Sequence, residues 1–231
     1  MKNLCAWAAL PFCLVLGTQV QAVTTLSSGH ADIFEVEYEQ VGATAPTLHL
    51  GIHTDTTHYE PADVLLEVSS SALTSTSLLP SSLTNLLGAN AWILPADLQE
   101  AANLGVLEAG VGKAGFPDSN AVTFTLVGAG PSNPGNFALF TVANALRLSA
   151  TGDTVGNSSF SITAGHIHYN WGFSAPGTYS FDLKASYNDA VFGPLESAVE
   201  TYTFNVIPEP SSGALLVVGM AVLAAIRRRR A

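Results

Sequence analysis

Asp32-Ile33-Phe34-Glu35-Val36-Glu37-Tyr38 sets polar against apolar side chains along its length, the pattern of a strand with one wet and one buried face. Ala121 to Val127 alternates again, with Val122, Phe124 and Leu126 on one side. Thr47 to His53, Val64 to Val68, Tyr169 to Phe173, Gly177 to Ser186 and Val199 to Val206 read as further strands. Phe137 to Val142 and Ala145 to Ser149 predict a hairpin across Ala143-Asn144. Gly130-Pro131, Pro134-Gly135, Pro176-Gly177 and Gly193-Pro194 punctuate the series as turns. Many short strands with such turns predict an all-β fold, a single β-sandwich domain over residues 23–206. Its helical insertions are short. Ser69 to Gly88, rich in Ser, Thr and Leu, reads as a surface loop with a helix near Ser81 to Leu87. Pro95 to Asn103 reads as a second helix with Pro95 near its start. No internal repeat is visible, and Ile207 to Ser212 reads as a linker.

The two ends carry addresses. Lys2, the apolar stretch Leu4 to Leu16 and the small-residue site Val20-Gln21-Ala22 make residues 1–22 a signal peptide, implying the Sec translocon and signal peptidase as partners. Both cysteines, Cys5 and Cys13, fall inside it. The mature chain therefore has no thiol for a disulfide, a cysteine nucleophile, a thiolate zinc site or an iron–sulfur cluster. At the other end, Pro208-Glu209-Pro210 precedes an apolar run from Gly213 to Ile226 and then Arg227, Arg228, Arg229 and Arg230. As a transmembrane helix that run spans about 21 Å, short of a roughly 30 Å hydrocarbon core. The flanking serines and snorkelling arginines extend it, and the arginines mark the cytoplasmic side. Membrane contact through this helix is expected, transient or permanent. Residues 207–231 resemble the PEP-CTERM sorting signal of Gram-negative bacteria that make exopolysaccharide. The resemblance implies an exosortase as partner, which cuts near the Pro-Glu-Pro. It also implies passage through the inner membrane to the periplasm, outer surface or extracellular matrix.

Charge narrows the partners. Between signal and tail the cations are Lys113, Arg147 and Lys184, while all of the chain's eighteen carboxylates except Glu209 fall between Asp32 and Glu200. Such a domain repels nucleic acid and anionic lipid and attracts cations.

All six histidines lie in the mature chain. In a strand, residues i and i+2 point to one face, so His166 and His168 project side by side. His30 and Asp32 share that spacing, and His49, His53 and Asp55 share parity if their strand continues that far. His58 falls in a turn and reads as solvated. Imidazole with carboxylate suits zinc; copper(II), nickel and iron stay open, because nitrogen ligands discriminate weakly. Ordinary polar or hydrogen-bonded roles are the competing reading for each histidine. The metal reading requires distant stretches of chain to converge.

Gly165-His166-Ile167-His168-Tyr169-Asn170-Trp171-Gly172-Phe173-Ser174-Ala175-Pro176-Gly177-Thr178-Tyr179 resembles the signature of the choice-of-anchor M domain, a bacterial surface-anchored domain. Gly29-His30-Ala31-Asp32-Ile33, Trp92-Ile93-Leu94-Pro95, and Gly128 to Pro131 with Phe137 to Phe140 are similar to its other motifs, in order. The resemblance covers nearly all of the mature domain. With the PEP-CTERM tail it is most similar to the branch repressed by the zinc-uptake regulator Zur. It implies zinc homeostasis outside the inner membrane, with a zinc ABC transporter as a further partner. It carries over His30, Asp32, His166 and His168 as motif residues, whereas His49, His53 and Asp55 rest on spacing. In structural terms Trp171, Phe173 and Tyr179 read as core or rim aromatics, Pro176-Gly177 as a turn, and Asn170 as a loop cap or the orienter of a histidine.

No Gly-x-Ser-x-Gly elbow, phosphate loop or His-Glu-x-x-His is present. The expectation is a metal-binding exported protein and not an enzyme. Two alternatives stand beside it. One is a structural or adhesive matrix protein with incidental histidines; the other is a zinc-dependent hydrolase using an open three-histidine site.

Overall fold

The computed structural model describes residues 23–209. The expected signal peptide over 1–22, Pro210, the apolar run and Arg227 to Arg230 lie outside them. Among the described residues no helix is long and apolar enough to cross a membrane.

The chain folds as a β-sandwich built from three sheets. The largest is seven-stranded and runs, in spatial order, Thr24–Leu26, Val64–Val68, Glu200–Val206, Gly177–Asp189, Val122–Ala129 and Ser159–Ile162, with Gly193–Glu196 also paired to Gly177–Asp189. A six-stranded sheet runs Thr154–Val155, Leu146–Thr151, Asn136–Phe140, Asn170–Phe173, Asn90–Leu94 and Leu73–Ser75. The five-stranded sheet runs His166–His168, Leu107–Ala114, Gly29–Glu39, Thr47–Thr54 and His58–Tyr59. Aromatics from both smaller sheets meet the large one. Phe34 packs on Phe124 and Tyr202, and Trp171 packs on Phe204 and on Phe34. Phe137 packs on Phe181 with centroids 4.5 Å apart. All seven are fully buried, and each such side chain contributes about 1.5–3 kcal/mol. Without disulfides, this core holds the domain. Trp171 also donates from Nε1 to the Ala109 carbonyl at 3.1 Å, which ties the six-stranded sheet to the five-stranded one.

One expectation needs refining. In Gly29–Glu39 the alternation breaks at Ile33-Phe34. Asp32 pairs with His53 and Glu35 with Gly51, so Ile33 and Phe34 together face Ile52 across a β-bulge. Both are buried. The extra residue resets the phase, so that Asp32 shares a face with Glu35 and Glu37 instead of opposing them.

One strand is added to the sequence reading, and two local readings are corrected. Leu107–Ala114 is a strand in the interior of the five-stranded sheet, although Gly110 and Gly112 depress strand propensity. The second helix is Leu98–Leu104, and Asp97 rather than Pro95 sets its start, with Oδ1 accepting from the Glu100 N–H at 2.8 Å. The Ser69 to Gly88 stretch is more than a surface loop. It contributes the strand Leu73–Ser75, and Leu83 and Leu87 of the helix Ser81–Leu87 are buried against Ala91, Ala138 and Phe140.

The chain leaves the fold abruptly. After the strand Glu200–Val206, the Ile207 N–H donates to the Val68 carbonyl at 2.9 Å, and Trp92 Nε1 donates to the Ile207 carbonyl at 2.9 Å. Pro208 and Glu209 are exposed.

Candidate metal centre

The five-stranded sheet turns Ala31, Ile33, Phe34, Val36, Leu48, Leu50, Ile52, Ala109 and Val111 into the core. Strand alternation then sends the intervening residues to the other face, and there all six histidines gather. One register row crosses all five strands as His168, Gly110, Asp32, His53 and His58. The next carries His166, Gly112, Glu35 and Gly51. Glu37 pairs with His49, and His30 with Glu108.

The glycines are holes in this lattice. A Cβ at Gly110 would overlap Asp32 Oδ1 and come within 3.0 Å of His166 Cε1; one at Gly112 would lie 2.9 Å from Asp32 Oδ2; one at Gly51 would overlap the His58 ring. Side chains from neighbouring strands lean into the space each glycine leaves. Asp32, so accommodated, is 7 % exposed, and Glu35 and Glu108 are 5 % and 7 % exposed, although all three sit on the sheet's outward face.

His30, His166 and His168 form the tightest group. Their ring centroids are 4.4, 5.0 and 5.4 Å apart. Each turns Nδ1 toward a carboxylate. His166 meets Asp32 at 2.7 Å to Oδ1 and 2.8 Å to Oδ2, His168 meets Glu108 at 2.9 Å, and His30 meets Asp55 at 3.1 Å. A carboxylate at Nδ1 holds the proton there and leaves Nε2 with a lone pair, the arrangement that orients metal-binding histidines. The Nε2 atoms of His166 and His168 contact one another directly, and His30 Nε2 lies 3.9 Å from Asp32 Oδ1. One ligand atom from each of the three histidines fits within a mutual span of 4.8 Å. Tetrahedral zinc with Zn–N near 2.0–2.1 Å sets nitrogens about 3.3 Å apart, a separation inside that span.

Burial loads the face electrostatically. Burial first, then His166 and His30, lowers the His168 pKa to about 4, so its ring is neutral at physiological pH. Burial raises the Glu108 and Glu35 carboxyls above their ordinary value, against the pull of His30 and His53 respectively. Asp32 Oδ1, Glu35 Oε2, His58 Nδ1 and His168 Nδ1 are buried without a well-directed hydrogen bond, although each lies at ion-pair distance from a partner. Poorly satisfied buried carboxylate oxygens beside imidazoles are a donor set that suits a divalent cation.

The predicted residues separate into two neighbourhoods. His166, His168, His30 and Asp32 come together. Asp55 joins them and not His49 or His53, because the strand Thr47–Thr54 ends one residue before it. His49 meets Glu60 at 3.1 Å and His53 meets Glu35 at 3.2 Å. His58, read as solvated, is half-buried, with Glu37 at 3.3 Å. Glu35, Glu37, Glu60 and Glu108 escaped sequence reasoning. The alternation of Glu108, Gly110 and Gly112 with Ala109 and Val111 was the available signal for Glu108.

The motif aromatics Trp171, Phe173 and Tyr179 are fully buried, and Gly177 has φ +124° in the turn after Pro176. Tyr179 Oη donates to the Ala175 carbonyl at 2.9 Å. Asn170 caps a loop and orients no histidine, its Oδ1 accepting from the Ala96 N–H at 2.9 Å.

Residues 206–230 match the family model of the PEP-CTERM protein-sorting motif. The chain is thus an exported protein sorted by exosortase, of the kind found on Gram-negative-type cell surfaces. No curated protein and no solved structure matches the chain.

Proposed function

We propose that the exported domain captures a divalent transition metal, zinc foremost, at His30, His166 and His168, with Asp32 beside them. The observation that carries this reading is the convergence of three imidazoles, each with Nδ1 at a carboxylate and with one ligand atom apiece inside a 4.8 Å span. The resemblance to the choice-of-anchor M domain, in its Zur-repressed PEP-CTERM branch, supports a place in zinc homeostasis outside the inner membrane. Capture or buffering, with delivery to a zinc ABC transporter, fits an acidic exported domain better than turnover does. The test is elemental analysis of the purified exported chain after dialysis against micromolar zinc. The expected result is stoichiometric zinc that falls in a His166→Ala, His168→Ala variant. Wild-type protein that retains no zinc would return the domain to the matrix reading. Ester or glycoside turnover by the zinc-loaded form, abolished by the same substitutions, would make it a hydrolase.

A further inference from the structure

Across the same face, toward the opposite edge of the sheet, a second group stands apart from the first. His49 Nε2 lies 3.1 Å from Glu60 Oε1, the His49 and His58 rings are 5.6 Å apart, and one ligand atom from each of the three residues fits within a mutual span of 4.8 Å. Glu37 backs His58 at Nδ1, 3.3 Å away, which leaves His58 Nε2 as the donor. Gly51 supplies the space, since a Cβ there would overlap the His58 imidazole. The edge strand His58–Tyr59 and the Glu60 that follows it supply two of the three donors, and the adjacent strand supplies His49.

We propose that His49, His58 and Glu60 form a second site for a divalent transition metal, independent of the His30–His166–His168 centre. Two imidazoles and a carboxylate are a zinc-type donor set with a fourth position open to water. The two sites differ in accessibility. The ligand side chains of the first, His30, His166 and His168, are 26 %, 41 % and 15 % exposed, those of the second, His49, His58 and Glu60, are 35 %, 30 % and 52 %, so the second is the more open through Glu60. The second site is therefore the faster to exchange and the first to empty. Between the sites His53 pairs with Glu35, and neither belongs to either donor set. His168 and His58 stand on the two edge strands of one register row, four spacings of about 4.8 Å apart, so the groups fill as two mononuclear sites.

The test is zinc stoichiometry of the purified exported chain, paired with a cobalt(II) titration read by absorption. Wild type should bind two equivalents. His49→Ala, His58→Ala should bind one and lose the faster-exchanging fraction, and Glu60→Gln should weaken that fraction alone. His166→Ala, His168→Ala should keep the faster fraction. Metal-free thermal melts of every variant control for folding. One equivalent in wild type, unaffected by the His49, His58 and Glu60 substitutions, would overturn the second site. Loss of the faster fraction on those substitutions, with no change on replacing His166 and His168, would keep it and overturn the first.

Discussion

His166 and Asp32, 134 positions apart in the chain, meet with Nδ1 lying 2.7 and 2.8 Å from the two carboxylate oxygens. Gly110 and Gly112, on the strand between them, leave the room in which the pair forms. Asp32→Asn should keep the fold, because the amide is isosteric, yet weaken zinc binding about 10–100-fold, as loss of an orienting carboxylate does. Competition against a chromophoric chelator measures this; an unchanged affinity would remove Asp32 from the centre.

Gly110→Ala tests the hole itself. The new methyl would overlap Asp32 Oδ1 and crowd His166, and overpacking of this kind costs about 1–3 kcal/mol. Denaturant unfolding of the metal-free protein should show that loss, and the zinc affinity should fall with it. Gly42→Ala is the control: its Cβ meets nothing within 4 Å, and any loss there reflects backbone strain at φ +66° without a change in zinc affinity.

The pH dependence has a defined sign. His168 is held near 4 in the folded state against 6.5 for the free ring. Between those values the unfolded chain carries the extra proton, so stability contributed by the neutral ring is full above 6.5 and drains as pH falls toward about 4. The raised Glu35 and Glu108 act oppositely. Their folded forms keep protons that the unfolded chain has released, so stability declines as pH rises above 4.5. These trends offset one another in the metal-free protein. Zinc requires neutral imidazoles, so the melting-temperature gain on adding zinc should grow between about pH 5.5 and 7.5. A gain independent of pH would contradict histidine ligation.

Trp171→Phe should cost about 1–3 kcal/mol by leaving the buried Ala109 carbonyl without its donor. Trp171→Ala adds a cavity and should cost about 3–5 kcal/mol. Because Ala109 lies between Glu108 and Gly110, the Phe variant should also lower zinc affinity, read from the same chelator competition. An affinity equal to wild type would show that the metal face is insulated from the core.

The fold was legible where side chains alternate without interruption. Val122–Ala129 and Glu200–Val206 follow the period of two closely, and Asn144, at φ +63°, sits in the predicted hairpin turn. Leu107–Ala114 was hidden because its glycines look like a loop; their function is to accommodate side chains from strands remote in sequence. The spacing of His166 with His168 gave one half of the candidate centre and that of His30 with Asp32 the other. Their meeting depends on sheet order, which periodicity does not encode. Parity groups Asp55 with His49 and His53, whereas it meets His30, because parity holds only while the strand lasts. Glu37 and His58 required the register of three strands at once.

Trp92 and Val68 fasten Ile207 to the sandwich, so only Pro208 to Ser212 separate the folded body from the greasy tail. Those five residues reach roughly 18 Å when fully stretched. Wherever the sorting motif is held, the folded body would therefore stay within that short reach of it. Exosortase processing at that motif would set whether the domain works beside its point of attachment or, on the proposed capture role, gathers ions from a far larger volume.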